Sequence, residues 1–177
     1  VTCEVTPHHL LLTDQTVQDS GLSTDAKMNP PLRAAGDCAA LVQGLADGTV
    51  DAIATDHAPH GWDDKEVELP IAAFGVIGLE TAFPLTLELL VNKGVISLAK
   101  AIALLTWEPA KVFHLHEKGL GTLKPGSQAD FTLLDLDAKI QVDRAFIQSK
   151  SYNTPFKGWE LPGKILGTWM GGKRVWG

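Results

Sequence analysis

Residues 50–60 read VDAIATDHAPH, and this stretch decides the fold more than any other part of the sequence. A mostly apolar run of strand length, residues 50–55, ends at Asp56, where one carboxylate and two imidazoles lie within five residues. In parallel α/β folds, functional side chains follow the carboxyl ends of the strands, where the loops converge. The stretch therefore predicts a strand that leads directly into a candidate site.

An amphipathic helix is predicted before this strand. From Pro31 to Asp47, apolar residues recur with helical spacing at positions 38, 41, 42 and 45, and Gly48 stands where a C-cap is expected. Residues 1–5 (VTCEV) alternate β-branched and polar side chains, which predicts a short strand that ends at a loop beginning with Pro7. Strand, helix and strand in this order form a βαβ unit, so we expect a parallel sheet.

Three further helices are predicted after the loop at residues 56–70, and we expect them to pack on the outside of the sheet. The first covers residues 78–91, and the second is capped by Ser97. The third is short, with Pro109 in its first turn, and runs through Phe113.

A small all-β module is predicted at the end of the chain. Beyond Lys118, glycines and prolines separate short β-like runs, the last two of which are joined by a Gly171-Gly172 turn. The runs are residues 130–134, 164–170 and 173–176. We therefore predict an α/β body at residues 1–117 and a β module at residues 118–177.

Composition excludes several classes of function. With 45% hydrophobic and 20% charged residues, the chain has the make-up of a globular protein. A formal charge of −6 argues against a nucleic-acid or acidic-membrane partner, because phosphate binding depends on clustered Lys and Arg. No apolar run reaches the roughly 20 residues that a membrane span needs. The two cysteines, Cys3 and Cys38, have no CxxC spacing, which fits a reducing, cytoplasmic location.

Asp56, His57 and His60 form the first candidate site. Divalent metals bind such oxygen and nitrogen ligands, and a carboxylate can also take a proton from a metal-bound water. A turn-forming aspartate with two surface histidines would show the same spacing, and the residues alone leave both possibilities open. Asn29 precedes two prolines in the loop KMNPP, where its amide could contact a substrate or simply form a turn.

Other polar side chains have simpler expected roles. His8 and His9 are expected at the end of the first strand, where neighbours point to opposite faces, so a positioning or packing role is favoured for them. The segment His114-Leu115-His116 follows a helical run rather than an apolar strand, which argues against a metal site there. Glu80 and Glu108 are expected to be acids of helix first turns.

Several segments resemble bacterial class I dihydroorotase, and they occur in that family's order. They are residues 1–10, 27–33, 55–60, 74–81, 121–126 and 153–156. The resemblance implies an amidohydrolase-superfamily (β/α)8 barrel, of which this chain is the C-terminal portion, with part of a small β-sandwich domain. It also implies a centre of one or two zinc ions and the reversible cyclisation of N-carbamoyl-L-aspartate to L-dihydroorotate in pyrimidine biosynthesis.

The resemblance also implies roles for individual residues. Asp56 matches the family's aspartate at the end of the eighth barrel strand, which binds zinc and acts as the acid/base that delivers a proton to the leaving amide nitrogen. His60 matches the histidine that binds the substrate carboxylate, and Asn29 matches a substrate-binding asparagine. Phe74 and Gly75 match the backbone that contacts the dihydropyrimidine ring.

The sequence departs from the family's pattern at one position in each of two loops, and several of the family's motifs are absent from it. Asp25 replaces the usual asparagine before Ala26-Lys27, and Ala73 replaces the usual proline before Phe74, which affects fine substrate positioning. The family's HxHxR motif and its other zinc ligands have no counterpart in these residues. A complete barrel takes typically about 250 residues, so residues 1–117 can hold only its last strands and helices.

We therefore expect open sheet edges, exposed apolar surface, and stability and activity only together with the missing half of the barrel. A homo-oligomer and a contact with aspartate transcarbamoylase are further expectations. Two alternatives stay open. One is another cyclic amidohydrolase, an allantoinase or hydantoinase, although these usually lack a histidine at the position of His60. The other is a non-catalytic dihydroorotase-like subunit that supports aspartate transcarbamoylase.

Overall fold

The computed structural model describes residues 1–177 and begins with a short strand followed at once by a helix. The strand β1 spans Glu4–Val5, and the helix α1 spans Pro7–Leu11. Thr6 caps the helix by accepting a hydrogen bond from the His9 amide. The expectation that the two histidines extend a strand is therefore wrong, because the cap and the proline at the first helical position start a helix. In this helix His8 is buried and His9 is half-buried.

The predicted βαβ unit is confirmed. The short helix α2 (Asp14–Asp19) precedes the longer α3 (Ala35–Asp47), which ends at Gly48 in the left-handed conformation, with φ of 89°. The strand β2 (Ala52–Ile53) then pairs with β1 in parallel, so that Glu4 lies opposite Ala52 and Val5 opposite Ile53. Both strands are shorter than predicted. The helix begins four residues later than predicted, at Ala35, and ends at the predicted glycine C-cap.

The three predicted outer helices are present, together with one short helix in the preceding loop. The first predicted helix begins four residues late, at Ala82, and its second half is π-helical. Ser97 caps the next helix by accepting from the Lys100 amide, as expected, and Pro109 lies in the first turn of the last. The helices are α4 (Trp62–Lys65), α5 (Ala82–Thr86) with the π-helical segment Leu87–Val91, α6 (Leu98–Leu105) and α7 (Trp107–Val112).

The carboxyl-terminal region forms a three-stranded antiparallel sheet in the order β3-β4-β5. Gly171 and Gly172 turn the chain between the last two strands with φ of 57° and 75°, as the sequence predicted. The first two strands are longer than predicted. The strands are β3 (Phe131–Gln141), β4 (Glu160–Met170) and β5 (Lys173–Trp176).

A long connection, residues 142–159, joins β3 to β4 and packs back against the α/β part; we call it the β3–β4 loop. Glu80 anchors it, because its Oε1 accepts backbone N–H bonds from Gln148 at 3.1 Å and Ser149 at 2.7 Å. Glu80 therefore has a different role from the one expected, since α5 begins only after it. Glu108 does lie in the first turn of α7, as predicted.

One apolar core joins the α/β part to the sheet. It includes Val5 and Ile53 of the parallel strands together with Val142, Phe156 and Leu161 from the carboxyl-terminal region. Gly163 of β4 approaches α5 so closely that a Cβ there would lie 2.8 Å from the Phe83 ring. Because these contacts run across the whole chain, they hold the β3–β4 loop against the loops that follow β2.

The parallel ladder has two strands, so both of its outer edges lack a strand partner. Several large apolar side chains are also exposed, among them Trp62 (77%), Ile71 (74%) and Leu123 (76%). The expected open edges and exposed apolar surface are thus present. None of the helices combines the length and the apolarity that crossing a bilayer requires.

Candidate functional site

Asp56 lies just beyond the carboxyl end of β2, on an exposed turn. Its φ of 48° is in the left-handed region, which non-glycine residues other than Asn and Asp rarely adopt. Its carboxylate accepts no hydrogen bond from the chain, whereas an aspartate that caps a helix or forms a turn accepts at least one from the backbone. A strained residue with an unused carboxylate at a strand end is typical of a functional position.

The neighbouring His57 has a structural role. Its Nδ1 accepts hydrogen bonds from the backbone amides of Gly78, at 3.1 Å, and Leu79, at 3.3 Å. A ring nitrogen that accepts carries no proton, so the neutral ring keeps its hydrogen on Nε2. His57 also forms a parallel β-bridge with Val76. It therefore ties the Asp56 turn to the segment that follows Gly75.

His60 brings three of the predicted site residues together. Its Nε2 donates to the Phe74 carbonyl at 2.8 Å. A Cβ built on Gly75 would lie 3.3 Å from the same nitrogen and 2.5 Å from the Ala58 Cβ, so only glycine fits between the two loops. Gly75 has φ of 129°, which also favours glycine. The loop after β2 and the Phe74-Gly75 loop are thus in direct contact.

The loop that carries Asn29 lies beside them. The Gly75 amide donates to the Lys27 carbonyl at 2.9 Å, and the Lys27 ammonium lies 4.4 Å from the centre of the Phe74 ring. His9 donates from Nε2 to the Pro30 carbonyl at 2.8 Å, which is the positioning role suggested for the histidine pair. Asn29 itself is exposed, and its amide makes no hydrogen bond within the chain.

Lys65, which no sequence pattern indicated, is only 5% exposed and lies behind these loops. Its ammonium donates to the carbonyls of Ala73 at 2.9 Å, Gly75 at 3.0 Å and Lys27 at 3.4 Å. Burial, assisted by the neighbouring positive charges, lowers the pKa of Lys65 below its usual value, although Asp25 opposes the shift. No carboxylate within salt-bridge distance pairs with this ammonium, so the three carbonyls solvate it. Apolar periodicity cannot reveal such a residue.

An open depression of about 580 Å³ borders the site on the side of the β3–β4 loop. His60, Lys65 and Asn153 contribute to its lining, but Asp56, Asn29 and Phe74 do not. Four of its lining residues are Lys or Arg and two are acidic, namely Glu66 and Asp25, the latter paired with Lys157 at 2.5 Å. The depression thus has positive charge available for a small anion.

The Asp56 carboxylate, which accepts no hydrogen bond from the chain, is available at this edge as a metal ligand. Zinc takes about four ligands, and carboxylate oxygen is one of the accepted types. No group of three or more His, Cys, Asp or Glu side chains in the chain could hold an ion. Asp56 therefore fits a metal as a single ligand and cannot bind one alone. His114 and His116 lie beyond α7, where one pairs with Glu117 and the other packs edge-on against Trp107.

Comparison with known sequences identifies close relatives. A model of the amidohydrolase family matches residues 1–175. Dihydroorotase from Anaeromyxobacter dehalogenans is 53% identical over 175 residues, a match that covers 99% of this chain and 40% of the relative. Dihydroorotase from Elusimicrobium minutum is 49% identical over 173 residues and covers 98% of this chain and 39% of the relative. The chain thus spans about 40% of the length of the curated relatives it matches.

Solved structures share the fold. L-Hydantoinase (dihydropyrimidinase) from Arthrobacter aurescens matches with a TM-score of 0.86 and 33% identity over 99% of this chain and 39% of that chain. Dihydropyrimidinase from Brevibacillus agri matches with a TM-score of 0.88 and 23% identity over the same shares, a likeness that shows the fold alone. The architecture of this chain therefore corresponds to a part of these larger enzymes, in agreement with the expected portion of a barrel.

Proposed function

This chain belongs to the amidohydrolase family, and we propose that it forms the C-terminal part of a zinc-dependent dihydroorotase. The reaction is the reversible cyclisation of N-carbamoyl-L-aspartate to L-dihydroorotate, with loss of one water. The observation that carries the proposal is the contact of His60 with Phe74 and Gly75. This contact lies beside the turn at Asp56, whose carboxylate has no hydrogen-bond partner in the chain. Relatives that are 49% to 53% identical over nearly the whole chain support it.

Asp56 is proposed as both a zinc ligand and the acid/base. A bound zinc ion would lower the pKa of water towards about 7 and polarise the carbonyl of the substrate. In ring opening, Asp56 takes a proton from the attacking water and passes it to the amide nitrogen as the C–N bond breaks; in cyclisation the proton moves the opposite way. An exposed carboxylate without a protein partner is available for both transfers.

The remaining site residues are proposed to hold the substrate. Nε2 of His60 donates to Phe74, so the substrate carboxylate would bind at Nδ1, which donates only in the doubly protonated ring and which also lies 3.9 Å from the Asp64 carboxylate. Asn29, with an unused amide, is proposed to hydrogen-bond the same substrate. The backbone at Phe74 and Gly75 is proposed to lie against the dihydropyrimidine ring. The missing side chain of Gly75 lets Ala58 and His60 pack against this backbone and fix its position.

The rest of the catalytic centre is proposed to come from polypeptide outside these 177 residues. We call this chain together with that polypeptide the complete protein. We assign residues 1–117 to the last strands and helices of the barrel and residues 118–177 to a segment of a β-sandwich. We propose that the complete protein is a homo-oligomer that can bind aspartate transcarbamoylase, and that the 177-residue chain alone is inactive.

The test is to purify the complete protein, measure its zinc content and assay both directions of the dihydroorotate reaction. We expect bound zinc and turnover in both directions, and no turnover by the 177-residue chain alone. Hydrolysis of hydantoin or allantoin without dihydroorotate turnover would contradict the proposal. So would a folded, zinc-free protein that turns over none of these substrates, which is the result a non-catalytic subunit would give.

A hydantoinase is the second candidate, because L-hydantoinase from A. aurescens matches this chain at 33% identity with a TM-score of 0.86. A hydantoin ring carries no carboxylate at the ring carbon where dihydroorotate has one, so a histidine that binds that carboxylate would be of no use to it. His60→Ala separates the two candidates. In a dihydroorotase it raises the KM for dihydroorotate, whereas in a hydantoinase it leaves the KM for hydantoin almost unchanged.

A further inference from the structure

The side chain of Asn153 connects the two loops that carry His60 and Gly75, although it lies more than 75 residues away from both in sequence. Asn153 belongs to the β3–β4 loop and is 4% exposed. Its Nδ2 donates to the carbonyls of Ala58 at 2.9 Å and Gly75 at 3.1 Å. Its Oδ1 accepts from the backbone amide of His60 at 3.3 Å. Both hydrogens of the side-chain amide therefore bond to the two loops that are proposed to bind the substrate.

Two further contacts fix Asn153 itself. Its backbone carbonyl accepts from the Ile77 amide at 3.0 Å, which continues the connection to the Gly75 segment. The Ser151 hydroxyl lies 2.6 Å from the His60 carbonyl and also contacts Asn153 Oδ1. The amide thus has one orientation that satisfies its neighbours, because a reversed amide would place NH₂ against the His60 N–H and oxygen against two carbonyls.

We propose that Asn153 is a positioning residue for substrate recognition, which acts through His60 and the Gly75 backbone without touching the substrate. This inference rests on the function proposed above. The carboxamide holds the backbone on both sides of Pro59, so it sets the direction of the His60 ring, and it holds the Gly75 carbonyl that Lys65 also binds. A buried amide with satisfied bonds on two loops restricts their relative movement more than an apolar residue of the same size.

The first test replaces Asn153 by residues whose side chains have a similar size but lack the amide. Asn153→Leu leaves the Ala58 carbonyl and the His60 amide without a partner, and the Gly75 carbonyl keeps only Lys65. Asn153→Asp places a second acceptor against the two carbonyls. In the complete protein we expect kcat/KM for L-dihydroorotate to fall about 10- to 100-fold, mostly through KM, because misplaced binding groups at a distance from the chemistry have effects of this size. Zinc content should stay at the wild-type level. Asn92→Leu is the matched control, since the Asn92 amide bonds only to Glu88 on the surface, and it should behave as wild type.

A double-mutant cycle separates positioning from a general loss of structure. If Asn153 acts through His60, then Asn153→Leu should lower kcat/KM less than about 3-fold in a His60→Ala background. A purely structural role would give the full effect in both backgrounds and would overturn the proposal, as would a wild-type KM in both Asn153 variants. If neither variant folds, Ser151→Ala, which removes the hydroxyl at the His60 carbonyl, must raise KM at least about 3-fold for the proposal to stand.

The same measurements distinguish the proposed function from the proposed role of Asn153. A complete protein that does not process dihydroorotate contradicts the proposed function. A complete protein that does so, and that His60→Ala impairs while both Asn153 variants match wild type, contradicts the role of Asn153 alone.

Discussion

The imidazole Nδ1 of His57 accepts a hydrogen bond from the backbone amide of Gly78 at 3.1 Å, and this bond closes the turn that presents Asp56. The histidine next to the proposed catalytic carboxylate is thus occupied by the backbone. This ring, which also receives the Leu79 amide, joins the turn to the segment after Gly75, and the bond from the Ala58 amide to the Val76 carbonyl joins them as well.

We predict that His57→Ala destabilises the complete protein by about 1 to 3 kcal/mol, because two backbone N–H groups lose their acceptor. His57→Asn should lose less than half of that amount, since an amide oxygen can take the place of Nδ1. The measurement is urea unfolding of the three proteins at pH 7. Equal losses in both variants would show that the contact with the two amides is not what stabilises the turn.

Asp56→Ala should abolish turnover of dihydroorotate in the complete protein, with a loss of at least about 10³-fold in kcat, because the proton-transfer group and a zinc ligand disappear together. His114→Ala should retain nearly full activity, since this exposed ring pairs only with Glu117. Initial rates and zinc content report both effects. A comparable loss in the two variants would mean that the histidines beyond α7 have a role that the structure does not suggest.

His8 should make stability sensitive to acid. Burial, and then the proximity of His9, lowers the pKa of His8 from 6.5 to about 3, and its buried Nε2 has no hydrogen-bond partner. Between these values the unfolded chain binds a proton that the folded chain does not. The contribution of neutral His8 to the free energy of unfolding is therefore fully present above pH 6.5. It is lost as the pH drops towards 3, which lowers the free energy of unfolding by at most about 4 to 5 kcal/mol.

His8→Phe should remove that part of the pH dependence and leave stability at pH 7 unchanged or slightly higher, since an apolar ring replaces an unsatisfied polar one. His114→Phe is the matched control on an exposed histidine. Unfolding free energies measured from pH 7 to pH 4 test the prediction. The same acid slope in wild type and His8→Phe would show that other groups cause it.

Gly75→Ala should impair both folding and substrate binding. The new Cβ would lie 2.5 Å from the Ala58 Cβ, at a backbone φ of 129° that side chains rarely adopt. We expect a loss of about 1 to 3 kcal/mol in stability and a raised KM for dihydroorotate. Gly36→Ala is the control: it lies in α3 with open space around it and should stabilise by up to about 1 kcal/mol. Thermal unfolding compares the two.

The parts of the fold that the sequence predicted depend on local patterns. The stripe at Cys38, Leu41, Val42 and Leu45, together with Gly48, defines α3 because helical spacing and a left-handed C-cap are both local properties. The strand and loop at residues 50–60 follow from an apolar run that ends at polar residues. Thr6 and Pro7 are typical of a helix N-terminus, and they begin α1. The β-branched residues before them favoured a strand, so this helix was not predicted.

The contacts that organise the candidate site are long-range and could not be predicted. Nothing near Asn153 in sequence indicates that its amide reaches Ala58 and Gly75. Lys65 lies in a charged stretch typical of an exposed loop, yet three carbonyls enclose its ammonium. Glu80 resembled a helix acid and instead binds two amides of a distant loop. Local spacing identified residues that face a site and missed those that hold it together.

Two attachments of the β3–β4 loop lie close together in sequence: Glu80 binds it at Ser149, and the side chain of Asn153 binds Ala58 and Gly75. Only four peptide units separate these points, and each extends at most about 3.6 Å, so the length of this segment is fixed by the geometry. An insertion or deletion between Ser149 and Asn153 would therefore break either the bond to Glu80 or the bonds of the Asn153 side chain. Family members that differ in length should therefore vary elsewhere, as at the Gly171-Gly172 turn, where an added residue disturbs no partner on the site.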